Sequence, residues 1–272
     1  MQSVEILKLC PYIHTLLRPR SYRDHTDRFH FDYETVGVPL PALQRLEWWY
    51  YDEAERSGGI NSLAAVLHGA PNLSYLFVGG VVGFSRICMQ REAPYLPRLQ
   101  TLRLNAINGL LLHQIVAHWS LPSLTHIVLD YPLTNFGSGL IWDAFGRQLK
   151  AIEFGRHLRF STRDRLSPCV NSCPGLEELN FYLFFTLPAE TMQPHASLTT
   201  VRLHAAVNDI LPNDDAVWDL IDCHFEILCG SDLPALRHII LYGDWQWILH
   251  HPRFTYIRDK LQDINRILEV SH

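Results

Sequence analysis

The stretch LPRLQTLRL, Leu96 to Leu104, returns as LPSLTHIVL, Leu121 to Leu129, 25 residues further along the chain. That interval is too long for a helical heptad and too short for a second domain. What recurs is an apolar triad with the spacing LxxLxL: Leu99/Leu102/Leu104 and then Leu124/Ile127/Leu129. Outward from this pair the same spacing is met at Val4/Leu7/Leu9, Leu43/Leu46/Trp48, Leu73/Leu76/Val78, Leu149/Ile152/Phe154, Leu176/Leu179/Phe181, Leu198/Val201/Leu203 and Leu236/Ile239/Leu241.

The first residues of these triads are separated by 39, 30, 26, 25, 25, 27, 22 and 38 positions. Intervals between 22 and 30 are those of leucine-rich repeats. A proline stands two residues before the first triad position at Pro41, Pro71, Pro97, Pro122, Pro174 and Pro234, where its fixed φ and missing N–H suit the entry to a strand. The last two triad residues are separated by one position, so both face one side of a short strand and the residue between them faces the other. Between triads the periodicity turns helical, in INSLAAVLHGA (Ile60 to Ala70), GLLLHQIVAHW (Gly109 to Trp119), LIWDAFGRQL (Leu140 to Leu149) and DDAVWDLIDCHFEIL (Asp214 to Leu228). A strand, a turn and a returning helix per repeat places successive strands parallel in one sheet.

The expected fold is therefore α/β: a single leucine-rich-repeat solenoid over residues 1–272, with parallel strands on the concave face and helices on the convex face. Regular repeats often carry Asn or Cys eight residues after the first Leu, where this chain has Ile107 or Pro132, so the horseshoe is expected to be irregular. An insertion is expected over about residues 10–40, and a capping helix over about 254–270, with Ile257, Leu261, Ile264 and Leu268 on its apolar side.

Composition bounds the function. With 47% apolar residues the chain can bury a sizeable core, and its net charge of -5 lacks the basic excess that phosphate neutralisation requires, so no nucleic-acid partner is expected. The most apolar run, Leu73 to Phe84, is too short to span a bilayer, and Glu5, Lys8 and Arg18 interrupt the N-terminal apolar residues, so neither a membrane segment nor a signal peptide is expected. Six scattered cysteines fit reduced thiols in the cytoplasm or nucleus, with Cys169 and Cys173 one helical turn apart in the core.

GRHLRFSTRDRLSPCVNSCPGLEELNFYLFFTLP (Gly155 to Pro188), HASLTTVRLHAAVND (His195 to Asp209) and LPALRHIILYGDW (Leu233 to Trp245) resemble the leucine-rich-repeat half of fungal F-box proteins, especially the large families of mushroom-forming fungi. The resemblance covers most of the chain and is firmest from about Leu96 onward. It implies a ubiquitin-ligase substrate receptor whose repeats hold the substrate, and it supplies no catalytic residues. The F-box itself is not found, because a repeat-like strand is expected from Val4. A Skp adaptor is therefore expected as a partner only if an F-box lies upstream, and the chain reads either as a truncated gene model or as an F-box-less relative.

Chemical motifs are sparse. GxxxxGK[ST], GxSxG and HExxH do not occur, and His113 and His118, five apart, project about 140° from each other around a helix axis. The run Arg156, His157, Arg159, Arg163, Arg165 is broken by Asp164 and reads as a solvated edge. No cofactor and no metal site are expected. The informative residues lie between and just beyond the buried strand positions. One column reads Glu47, Phe77, Arg103, Val128, Glu153, Asn180, Arg202, Ile240; the next reads Trp49, Gly79, Asn105, Asp130, Gly155, Tyr182, His204, Tyr242. Mixed charge with aromatics suits a protein or peptide, for which Tyr, Trp and Arg supply most anchors. The candidate binding residues are Asn180, Tyr182, Arg202, His204 and Tyr242, with Arg103, Asn105 and Asp130 on the same face, in a non-catalytic protein-interaction module. Trp49 is expected to pack under the N-terminal loop. The alternative is an enzyme whose hydrolase or metal site is formed by the loop insertions.

Overall fold

A tight turn opens most of the repeats, and a proline shapes it. In the computed structural model, which describes residues 7–18, 38–49, 63, 66–80, 93–130, 137–155, 164–205 and 215–271, the amide of Leu43 donates to the Leu40 carbonyl at 3.1 Å. The amides of Leu73, Leu99, Leu124, Leu176 and Leu236 do the same to Ala70, Leu96, Leu121, Cys173 and Leu233. The six prolines noted above occupy the second position of these turns, where φ near -65° is required and the N–H is not. The next carbonyl then joins one repeat to its neighbour. Gln44 accepts from both Ser74 and Tyr75, Ser74 from Gln100 and Thr101, Lys150 from Glu177 and Glu178, and Thr199 from Arg237 and His238. Each turn thereby sets the register of the following strand.

Ten strands result among the described residues: β1 (Thr15–Arg18), β2 (Arg45–Trp49), β3 (Tyr75–Gly79), β4 (Thr101–Asn105), β5 (His126–Leu129), β6 (Ala151–Phe154), β7 (Glu178–Tyr182), β8 (Thr200–Ala205), β9 (His238–Gly243) and β10 (Ile267–Ser271). They form a parallel sheet in sequence order, β1 to β10, so the architecture is α/β. Among the described residues the connecting helices include α1 (Gly109–His118), α2 (Gly137–Phe145), α3 (Leu166–Ser172), α4 (Asp215–Cys229), α5 (Gln246–Leu249) and α6 (Pro252–Asp263). Among the described residues no helix is long and apolar enough to cross a membrane.

The chain divides into two compact units, residues 1–127 with 133–140, and residues 128–132 with 141–272. In the first, Leu43, Leu46 and Trp48, and Leu73, Leu76 and Val78, are completely buried, and Leu99, Leu102 and Leu104 are at most 1% exposed. α1 packs Leu111, Leu112 and Ile115 inward, and the Asn108 side chain caps its start by accepting from the Leu111 amide at 2.9 Å. In the second unit the triads of β6 to β9 are buried to the same degree, and α4 adds Trp218, Ile221, Phe225 and Leu228. Burying each such side chain contributes roughly 1.5 to 3 kcal/mol before chain entropy is subtracted, and the triads supply several per repeat.

The structure corrects four expectations. Leu7 and Leu9 belong to a helical stretch and Leu9 is exposed; the first strand is β1, paired Leu16 to Leu46, in a segment expected to be an insertion. Its turn is Cys10-Pro11-Tyr12-Ile13, closed by the Ile13 amide on Cys10, so Pro11 is one more member of the proline series. The capping helix stops at Asp263; Asn265 takes a positive φ of 55°, and residues 267–271 form β10 beside β9 instead of a further helical turn. The helix expected over 140–149 is displaced to Gly137–Phe145, the chain turning through Gly146 to Gln148 before β6. Between β7 and β8 there is no α-helix, only the 3-10 turn Leu183–Phe185 and extended chain. There His195 replaces the proline turn: its Nδ1 accepts from the Leu198 amide at 3.1 Å and its Nε2 donates to the Cys173 carbonyl at 2.9 Å. The stretch from Pro19 to Gly37, Cys88 and the basic run from Arg156 to Arg163 lie outside the described residues, as does most of the segment from Ile60 to Ala65.

Candidate functional site

Strand parity puts alternate residues of β7, β8 and β9 on the face opposite the buried triads. The register aligns Asn180 with Arg202, and Tyr182 with His204 and then Tyr242. Neighbouring parallel strands lie about 4.8 Å apart, a spacing at which aromatic rings can stack. They do: Tyr182 and His204 have ring centroids 4.8 Å apart with planes 24° from parallel, and His204 and Tyr242 are 5.1 Å apart at 16°. Phe185, from the 3-10 turn, extends the row at 6.3 Å from Tyr182.

The far end of the row is held by the chain beyond β9. Gly243 has a φ of +90°, and a Cβ there would lie 2.4 Å from the Ala205 carbonyl oxygen, so the turn requires glycine. That turn brings the buried Trp245 beneath the strand end, where its Nε1 donates to the Tyr242 carbonyl at 2.9 Å.

Arg202 lies one row back. Its Nε and Nη2 donate to Oε1 and Oε2 of Glu178 at 2.8 and 3.3 Å, a two-pronged pair, and Nη1 donates to the Tyr242 hydroxyl at 2.5 Å. The hydrogen bond to Glu178 raises the pKa of Arg202 against the opposing pull of burial. Burial is the main cause that lowers the pKa of His204; the Glu153 carboxylate acts against it and Arg202 with it. His204 therefore stacks as a neutral ring at neutral pH.

Of the sequence-predicted residues, Tyr182, Arg202, His204 and Tyr242 form this half-exposed cluster in the second unit. Asn180 shares their face but is only 8% exposed, and its Oδ1 has no hydrogen-bond partner. Asp130 is 4% exposed, so its expected availability as a surface anchor is corrected; it lies against Gly155, where a Cβ would meet Asp130 Oδ1 at 2.2 Å. Arg103 and Asn105 are half-buried in the first unit, Arg103 with its guanidinium 5.9 Å from the centre of the Phe77 ring. Trp49 meets Phe77 at 4.7 Å over Gly79, where a Cβ would collide with both rings; the loop it is expected to pack under lies outside the described residues.

The sequence reading missed Glu178 and Phe185. Glu178 belongs to a third same-face column, two residues before Asn180, and the two-residue strand period identifies that column once β7 is placed. Phe185 carries no such signal, because it lies beyond the strand. His113 and His118 also approach more closely than their angular separation implies, with ring centroids 6.2 Å apart. Among the described residues no group of three or more His, Cys, Asp or Glu could hold a metal ion. The chain matches no protein-family model and no curated protein.

Proposed function

We propose that this chain is a leucine-rich-repeat solenoid that acts as a non-catalytic protein- or peptide-binding module in the cytoplasm or nucleus, and that β7, β8 and β9 carry its contact face. The observation that supports this most strongly is the half-exposed row Tyr182, His204, Tyr242, fixed by stacking and by the Arg202 bridge to Glu178 and Tyr242. Rings already held in place lose little freedom on association, and Tyr and Arg are enriched among the residues that dominate binding energy. The resemblance to the repeat half of fungal F-box proteins favours the same role, with a ubiquitination substrate as the partner.

The test is a comparison of proteins captured from native extract by the wild type and by the double variant Tyr182→Ala, Tyr242→Ala. Loss of specific partners from a double variant that still unfolds cooperatively supports the proposal. Retention of every partner at unchanged affinity moves the contact face elsewhere.

A further inference from the structure

On the strand face of β6 to β8, Glu153, Asn180 and Arg202 are consecutive register partners, with Tyr182 and His204 in the next row. Building on the binding role proposed above, we infer that this face recognises a basic side chain, arginine or lysine, of a peptide ligand, received by Glu153 and Asn180 beside the aromatic row.

Hydrogen-bonding capacity indicates the sign of the ligand. Arg202, the cation of the row, is engaged through Nε, Nη1 and Nη2 by Glu178 and Tyr242, and the Glu178 carboxylate neutralises its charge, which weakens its pull on an anion. His204 is held toward its neutral form and supplies no competing positive charge. The acceptors, by contrast, are left over. Among the described residues the half-buried Glu153 carboxylate forms no ion pair or hydrogen bond, and the Oδ1 of Asn180, a residue only 8% exposed, has no partner.

A buried acceptor without a donor, such as the Asn180 Oδ1, is destabilising, and with the half-exposed Glu153 carboxylate beside it the pair suits a ligand rich in N–H groups. A guanidinium or an ammonium meets that requirement and gains charge-assisted bonds to the carboxylate. Glu153, held by no bond, is the movable edge that can open access to Asn180. The net charge of -5 adds a long-range bias in the same direction.

The inference is tested by selecting from a phage-displayed library of random-sequence peptides on the whole chain, then measuring the best peptide in solution by fluorescence anisotropy. The expected result is a shared Arg or Lys at one position of the selected peptides. Replacing it by citrulline or norleucine, or introducing Glu153→Gln or Asn180→Leu into the chain, should weaken binding about tenfold or more, as the loss of a charge-assisted contact predicts. Asn180→Leu is close in volume and removes the orphan acceptor, so it should unfold no more easily than wild type, which separates lost recognition from lost folding. Selected peptides without a shared basic residue, or binding unchanged by both substitutions, overturn the basic-ligand inference while leaving the binding role intact, provided that Tyr182→Ala with Tyr242→Ala still abolishes binding. Peptides indifferent to that double substitution, or no enrichment at all, overturn both.

Discussion

His224 should make this protein sensitive to mild acid. It sits on the inner side of α4 against Phe181, with ring centroids 5.4 Å apart, and its Nε2 donates to the Thr186 carbonyl at 2.9 Å. Burial lowers its pKa from 6.5 to about 4, only partly offset by the carbonyls of Thr186 and Leu183. The unfolded chain therefore takes up a proton below 6.5 that the folded chain refuses until about 4, so the contribution is fully present above 6.5 and is lost as pH falls toward 4. With 1.36 kcal/mol per pKa unit, the loss is about 2 kcal/mol at pH 5 and approaches about 3 kcal/mol at pH 4.

The measurement is chemical denaturation of wild type and His224→Phe at pH 7.5 and pH 5. The substitution leaves the Thr186 carbonyl without its donor, which adds a cost of about 1 to 3 kcal/mol at both pH values that is independent of protonation. The difference between the two pH values is what isolates the imidazole, since the acidic groups elsewhere titrate in both proteins. Wild type should lose about 2 kcal/mol more than the variant between the two conditions. Equal losses would refute the argument and show that the unprotonated ring is not what burial enforces.

Core and edge positions should also separate. Leu104→Ala, at a fully buried triad position, should cost about 2 to 5 kcal/mol in denaturant unfolding, whereas Arg103→Ala, on the opposite face of the same strand, should cost well under half of that. Arg266→Met should destabilise the second unit by about 2 to 4 kcal/mol, because the buried guanidinium donates to the carbonyls of Leu228, Gly230 and Leu233 at the end of α4, and methionine leaves all three without that donor. Hydrogen exchange in residues 228–233 should rise first; protection that persists there would show that the carbonyls find other donors.

How far the fold could be read from the residues follows from where the apolar constraint is strict. The triads of β2 to β9 lie between strands on both sides, so each needs three apolar residues, and the spacing LxxLxL exposes them. At the ends of the described sheet that requirement relaxes. β1 carries Arg18 at the third triad position and leaves Ile13 and Leu16 only half-buried; β10 begins its triad with Asn265 and has Val270 42% exposed. A search for apolar triads passes over both strands. The proline turn is the better signal at the first, since Pro11 precedes Ile13 as Pro41 precedes Leu43. At the second, Asn265 is itself informative, because Asn tolerates the left-handed conformation that ends α6.

The candidate site divides along a similar line. Column membership follows from parity and register, which is why Tyr182, His204 and Tyr242 could be aligned from sequence before their rings were seen to stack. Partnership within the columns does not follow from spacing. Arg202 could have reached forward to Asn180, across to Ile240 or diagonally to Glu178, and only side-chain torsions select Glu178. That selection has a chemical consequence which no alignment of columns contains. By engaging Glu178, Arg202 has its charge neutralised, while the Asn180 Oδ1 is left buried without a donor next to the half-exposed Glu153 carboxylate. With Arg202 turned away from Glu178, a guanidinium and a second carboxylate would both stand unpaired on this face, so which of its groups can meet a ligand is set by the side-chain arrangement and not by its composition.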